Sequence, residues 1–304
     1  ITWVDGLDPL WRKRYGSYFG RLPDRDRFSD NGEIELCLAS IHKYMPWIRT
    51  IYVVTDRQVP SCISLYPKVK LVDHSQILER NCLKPTFNSN VVEAYLHRIP
   101  GLSEFFLYAN DDMFVGQPIK KSEWFRKTSP LVYLPSRVLT YPIQQFEWGI
   151  YNANKIAAEF TGCEPPPNPK ILSHVPGSGG YGQGVLALSH QLTICRKSMC
   201  ARIWNLFPTA MARLVSCRRR KPDEHQIQVL LLAAIIGIHE GAFIHHKISA
   251  VNIYYDRDSD LEFAKWSQTI LERTPKLYCI NGFESSEVLI YRAFKAAMLK
   301  KIRT

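Results

Sequence analysis

Short apolar runs that end on carboxylates limit the folds open to this chain. ITWVD closes on Asp5, TIYVVT runs into Asp56, KLV into Asp73, and FFLYA into Asn110, Asp111 and Asp112. Runs this short, rich in β-branched and aromatic residues, read as strands of a buried sheet. Helical spacing fills the gaps between them. Asp30 or Asn31 is placed to cap a helix over about 33–45, with Glu33 at capping-box spacing from Asp30. Ile34, Leu38 and Ile41 give that helix one apolar face, and Pro46 stops it. Residues 86–98 also read as helical, with Val91, Val92, Tyr95 and Leu96 facing inward. This alternation predicts an α/β fold with an open, mostly parallel central sheet. Such sheets bind ligands beyond the carboxyl ends of their strands. Asp5, Asp56, Asp73, Asp111 and Asp112 are therefore expected at one edge. Residues 11–30, polar, basic and aromatic, read instead as a surface loop.

The second half is less regular. Residues 162–184 are rich in Pro and Gly and read as loop. Helices are expected over 191–216, 223–238 and 284–303, the last basic at its end through Lys295, Lys300, Lys301 and Arg303. The longest apolar run, Ile227–Ile238, has 12 residues. A bilayer span needs about 18 or more, so this run reads as a buried helix. The expected organisation is one domain over 1–304, with an α/β half, 1–125, and a mixed, mainly helical half, 126–304.

Composition narrows the function classes. Of 304 residues, 46% are hydrophobic and 22% charged, which excludes a disordered chain. Lys and Arg exceed Asp and Glu by 39 to 28, a formal charge of +11, which favours anionic partners. No helix-turn-helix, RRM or zinc-finger pattern accompanies the excess, so nucleic acid is not an expected partner. The 8 cysteines show no CxxC pair and no zinc spacing, and are expected to be reduced and mostly buried. With no sequon and no signal peptide in view, the expected location is the cytoplasm.

Asn110-Asp111-Asp112 is the sharpest chemical signal. A carboxylate pair at the end of a buried strand suits Mg²⁺ or Mn²⁺, which take oxygen ligands and bridge diphosphates. The alternative is a solvated turn. The run from Lys84 to Asn90 precedes a helix and suits phosphate or sugar hydroxyls, or else an ordinary cap by Asn88 or Asn90. His174 has the side chain best matched to general-base work near neutral pH. Arg218-Arg219-Arg220-Lys221 offers guanidinium forks for a diphosphate, or else a solvated surface.

These motifs lie within a longer resemblance. ITWVDGLDP, NGEIELCLASIHKYMPWIRTIYVVTDRQVP and LKPTFNSNVVEAYLHRIPGLSEFFLYANDDMFVGQP resemble the first two conserved regions of the Stealth family. That family holds bacterial capsule and cell-wall polysaccharide phosphotransferases and the enzyme that tags lysosomal enzymes with N-acetylglucosamine-1-phosphate. His174-Val175-Pro176 resembles an element of its third region. The arginine and aspartate that follow there are best matched by Arg219 and Asp223, with Arg218 or Arg220 open in another register. Tyr278-Cys279-Ile280-Asn281 resembles the last region, which usually continues with Asp where this chain has Gly282. Either Asn281 alone carries over or Glu284 substitutes. Tyr151-Asn152-Ala153-Asn154 is similar to a family helix start.

The resemblance implies a GT-A-like fold with a helical C-terminal portion. It implies transfer of a hexose- or N-acetylhexosamine-1-phosphate from a UDP-sugar to an oligo- or polysaccharide hydroxyl, with release of UMP. On that reading Asp111 and Asp112 hold Mg²⁺ or Mn²⁺, Arg219 and Lys84 contact phosphate, and His174 takes the acceptor proton. Asp5, Gly6 and Asp56 line the uridine site. Asn88 and Asn90 read the sugar, Asn154 adds a contact on the substrate side, and Asn281 supports the metal side. The chain's compact length fits a bacterial member. Its basic C-terminal helix suggests peripheral docking on an anionic inner membrane.

Overall fold

A computed structural model describes residues 1–23, 28, 30–80, 82–137, 139, 145–166, 185–220, 225–246, 250–254, 260–281 and 288–303. The fold is mixed α/β. Helix α1 (Pro9–Phe19) opens it, where the sequence suggested a loop. Asp8 caps it by accepting from the Trp11 N–H, Pro9 occupies its first turn, and Gly20 closes it at φ 65°. Trp11, Tyr15 and Phe19, one turn apart, form a stripe that packs on Phe28 and Phe87 with ring centroids 4.6–5.8 Å apart. The aromatic spacing, hidden among charged residues, outweighs the polar composition.

Helix α2 (Glu33–Tyr44) follows as expected. Its N-cap is neither Asp30 nor Asn31 but Gly32, at φ 88°, whose N–H donates to Asp30 Oδ1 at 2.9 Å. Strands β1 (Ile51–Thr55) and β2 (Val69–Asp73) pair in parallel, Ile51 opposite Val69 and Thr55 opposite Asp73. A single-turn helix α3 (His74–Ile77) is capped by Asp73. Helix α4 (Ser89–Tyr95), capped by Asn88, is shorter than expected and passes into a 3₁₀ turn at Leu96–Arg98. Strand β3 (Phe105–Tyr108) leads through Asn110-Asp111-Asp112 into β4 (Met113–Val115).

Residues 1–3 lie between β1 and β3. Trp3 donates to Val54 O at 3.0 Å and Thr2 to Ala109 O at 3.1 Å. Thr2 forms parallel bridges with both Val54 and Asn110, rather than the five-residue strand expected. The spatial order is thus β2, β1, residues 1–3, β3, all parallel. A strand from the second half, β9 (Thr193–Arg196), closes the far side antiparallel to β3.

The second half departs more from expectation. After short strands β5 (Phe125–Arg126), β6 (Ser129–Val132) and β7 (Ser136–Arg137) comes helix α5 (Gln145–Thr161). Asn152 and Asn154 therefore sit mid-helix, not at a helix start. Strand β8 (Val185–Leu186) pairs with β7. The helix expected over 191–216 is three elements: β9 (Thr193–Arg196), α6 (Lys197–Leu206) and α7 (Pro208–Val215). Thr193 and Ile194 are β-branched and find a partner in β3, and Pro208 breaks the helix. Helix α8 (Val229–His239) is buried along most of its length, as its apolar run implied, and begins later than expected. Strand β10 (Ile244–His245) pairs with β6. Strand β11 (Ala250–Tyr254), helix α9 (Asp260–Glu272), strand β12 (Leu277–Asn281) and helix α10 (Val288–Arg303) complete the chain. Strand β12 runs parallel to β11 and antiparallel to β4, with Cys279 opposite Met113. Among the described residues no helix is long and apolar enough to cross a membrane.

All eight cysteines are free and only Cys163 is exposed, in line with the reduced state expected.

Candidate active site

Strand pairing builds the site around the turn after β3. Asn110 is held by its side-chain oxygen, which accepts from Tyr108 Oη at 2.6 Å and Thr2 Oγ1 at 2.9 Å. Asn110 and Asp112 are thereby fixed from two sides: residue 2 on one, and β12 on the other, where Ile280 N donates to Asp112 O at 3.2 Å. The same register lays the Cys279 thiol beside the Asp112 carboxylate. His190 precedes β9, which begins level with Tyr108, so its ring reaches the turn. His190 Nδ1 is 2.9 Å from Cys279 Sγ and 3.9 Å from Asp112 Oδ2, and its Nε2 is 3.4 Å from Asn110 Nδ2.

Carboxylates crowd the other side. Burial, then repulsion from Asp112, Glu33 and Asp30, pushes the Asp111 pKa well up. Burial raises Asp112 too, against the pull of His190 and of the Cys279 hydrogen bond. Glu33, 5% exposed at the start of α2, is pushed up to about 8 by burial and by Asp30. Asp5 is raised by burial first, offset by the Leu7 N–H that its carboxylate accepts at 2.7 Å, with Asp30 and Asp8 adding to the rise. A cluster of desolvated carboxylates that repel one another is stabilised by a cation. One oxygen, Asp112 Oδ1, is buried without a hydrogen-bond partner. The donor set therefore fits a divalent ion.

The strand register sets the expected acids at one edge, but they do not all join one cluster. Asp5, Asp111 and Asp112 join Asp30 and Glu33. Asp56 instead faces Arg14 of α1 at 2.9 Å, because α1 lies where a loop was expected. Asp73 accepts from Arg57 N and Ser75 N. Gly6 serves close approach: its N–H donates to Phe28 O, and a Cβ there would lie 2.5 Å from Phe28 Cβ. It brings the chain ahead of Asp30 against the site.

Other expected ligand residues are engaged within the protein. Asn88 and Asn90 are 0% and 1% exposed. Asn88 Oδ1 caps the Asn90 N–H, and its amide donates to Gln226 Oε1 at 3.0 Å and Cys217 O at 3.3 Å. The capping alternative accounts for them, and they tie α4 to the segment before α8. Asn154 donates to Leu186 O and accepts from Leu186 N, pinning β8 to α5. Lys84 is exposed and donates to Leu78 O at 2.8 Å.

The arginine run divides. Arg218 stacks over Tyr18 at 4.3 Å and donates to the Lys84 and Pro85 carbonyls. Arg219 lies over Phe19 at 5.3 Å, its backbone bridged to Phe87. Arg220 turns inward, donates to Ser89 Oγ, and faces buried Glu93, which also bonds Tyr108. Of the three registers left open by the sequence, Arg220 is the one connected through Glu93 and Tyr108 to Asn110. His174, Asp223, Gly282, Glu284 and the side chain of Asn281 lie outside the described residues.

Sequence reasoning missed His190 and Glu33 beside the turn, and placed Cys279 only as a member of the matched last region. Glu33 had a visible signal, capping-box spacing from Asp30, but a cap and a buried carboxylate share it. Nothing local marks His190, and only the β3–β9 and β4–β12 pairings bring it and Cys279 to Asp112.

Residues 27–132 match the family model described as Stealth protein CR2, conserved region 2. The resemblance to the Stealth family is thereby borne out, and the chain carries that family's second conserved region. Among its relatives is the capsular polysaccharide phosphotransferase LcbA of Aeromonas hydrophila, 44% identical over 135 residues, 41% of this chain and 37% of the relative. The capsular polysaccharide phosphotransferase fcs1 of Haemophilus influenzae is 28% identical over 310 residues, 96% of this chain and 79% of the relative. The exopolysaccharide phosphotransferase SCO6021 of Streptomyces coelicolor is 41% identical over 142 residues, 45% of this chain and 26% of the relative. The matched stretch thus spans little more than a third of the Aeromonas relative's length and most of the Haemophilus one.

Proposed function

We propose that this chain is a sugar-1-phosphate transferase of bacterial capsule or cell-surface polysaccharide synthesis, with a GT-A-like fold. A hexose- or N-acetylhexosamine-1-phosphate passes from a UDP-sugar to a saccharide hydroxyl. The acceptor oxygen bonds to the phosphorus next to the sugar, the bond from that phosphorus to the bridging oxygen breaks, and UMP departs. The acceptor proton goes to a base. The observation that carries this reading is the half-buried cluster of mutually repelling carboxylates at the ends of parallel strands, in a chain related to polysaccharide phosphotransferases.

Asp111 and Asp112 would hold the divalent ion, Mg²⁺ or Mn²⁺ in the first reading. An ion held there would supply positive charge to offset that of the diphosphate. Asn110 fixes the turn, and Asp5 supplies a carboxylate beside the nucleotide end. His174 is the base on the strength of the family resemblance, and needs to be neutral to act. Arg220, or Arg219 if the aromatic stack opens, supplies the guanidinium for the phosphates. Docking on an anionic membrane surface would have to use Lys300 and other exposed cations. Lys295 and Arg303 of α10 pair with Glu35, and Lys301 donates to Leu271 O and Thr274 Oγ1.

Asp112→Asn should abolish turnover while circular dichroism and melting stay native. Wild-type turnover in that variant, with a divalent ion present, would refute the assignment. His174→Ala should lower kcat more than donor affinity, and a pure loss of donor affinity would remove it as base.

A further inference from the structure

The carboxylate pair has a second face that is not made of oxygen. Asp112, His190 and Cys279 present ligand atoms that all lie within 4.8 Å of one another. They come from three separate elements, and strand register brings them together: Cys279 is carried beside Asp112 by the β4–β12 pairing, and His190 by the β3–β9 pairing. His190 Nδ1 stands 2.9 Å from Cys279 Sγ and 3.9 Å from Asp112 Oδ2. Bonds of about 2.3 Å to sulfur and about 2.0–2.2 Å to nitrogen or oxygen need only small side-chain shifts from such spacings. The His190 and Asp112 side chains are 28% and 14% exposed, so solvent reaches the triad from one side. Asp112 Oδ1 is buried and unpartnered.

We propose that Asp112, His190 and Cys279 form a three-ligand site for a divalent transition ion, with Co²⁺ and Zn²⁺ favoured over the harder Mn²⁺. This deepens the functional reading above, on which it rests for the presence of an ion at Asp112, and it names the class of ion. Mg²⁺ prefers oxygen ligands and keeps its water, so an imidazole and a thiol contribute little to it. The same imidazole and thiolate select softer ions. Three protein ligands leave a position open for a phosphate oxygen, as catalytic sites of this kind do. On binding, Cys279 gives up its thiol proton to solvent and the thiolate takes the metal.

The test is a titration of metal-stripped full-length chain with Co²⁺, followed by absorption spectroscopy and equilibrium dialysis. The expected result is one Co²⁺ per chain with a thiolate-to-cobalt charge-transfer band in the near ultraviolet, displaced by Zn²⁺ but not by excess Mg²⁺. Cys279→Ser should lose the band, and His190→Ala should weaken binding by about tenfold or more. Native dichroism is checked in each variant. If the wild-type chain itself shows no charge-transfer band, or if Mg²⁺ displaces Co²⁺ readily, the site is wrong whatever the variants do. Should only Asp112→Asn abolish binding, the carboxylate metal site stands and the His190–Cys279 assignment falls. Loss of UMP release with the band intact would instead count against the transferase reading and leave this site standing.

Discussion

At the scale of single residues, charge crowded out of water makes the site. Glu33 holds its proton up to about pH 8 in the fold, against 4.5 ordinarily. Between those values the folded chain binds more protons than the unfolded one, so this contribution to stability falls as pH rises. It is fully present below 4.5 and lost as pH passes through about 8. Glu33→Gln should therefore flatten the decline, and the melting temperature of the variant minus that of wild type should grow from acid to alkaline pH. His74, whose pKa burial lowers, titrates in the opposite sense below its ordinary 6.5, and the difference between the two proteins cancels it. A constant difference across that range would show that Glu33 is ionised throughout. Gln226 is a residue of another kind. It is fully buried and accepts from Asn88 at 3.0 Å and Asn90 at 3.5 Å. Gln226→Leu leaves buried donors short of a partner and should cost about 1–3 kcal/mol in urea unfolding. A neutral result would mean that water replaces the amide.

At the scale of elements, what could be read from sequence depended on whether an element's partner is local. Helix α2, with Ile34, Leu38 and Ile41 on one face, and β1 with its β-branched run are self-evident. Asp111 and Asp112 at the end of β3 were legible for the same reason. Strand β9 was not: Thr193–Arg196 is a strand because β3 lies beside it, and its own flanks look helical. Helix α1 was hidden by its arginines, although Trp11, Tyr15 and Phe19 keep helical spacing. That stripe packs with Phe87 and Phe28 in a small cluster of its own, apart from the main core. Trp11→Ala should therefore destabilise by about 3–5 kcal/mol in urea unfolding and release Arg14 from Asp56. A change under about 1 kcal/mol would place α1 outside the cooperative unit.

At the scale of the whole molecule, parallel strands deliver carboxylates to one edge, and the second half returns β9 and β12 to cover them. The α/β character of the first half, and the parallel β1–β2 pair, were legible because βα alternation is periodic. The return was not, because a side chain such as Cys279 gains its meaning only from Asp112, 167 positions earlier in the chain. On the proposed reading this edge serves a charged, metal-neutralised donor, and the bond broken would distinguish the reaction from ordinary glycosyl transfer. The decisive measurement is the nucleotide released from a panel of UDP-hexoses and UDP-N-acetylhexosamines, with a divalent ion and a capsule-type oligosaccharide, resolved by anion exchange. The account predicts UMP, absent in Asp112→Asn; UDP in its place would contradict it.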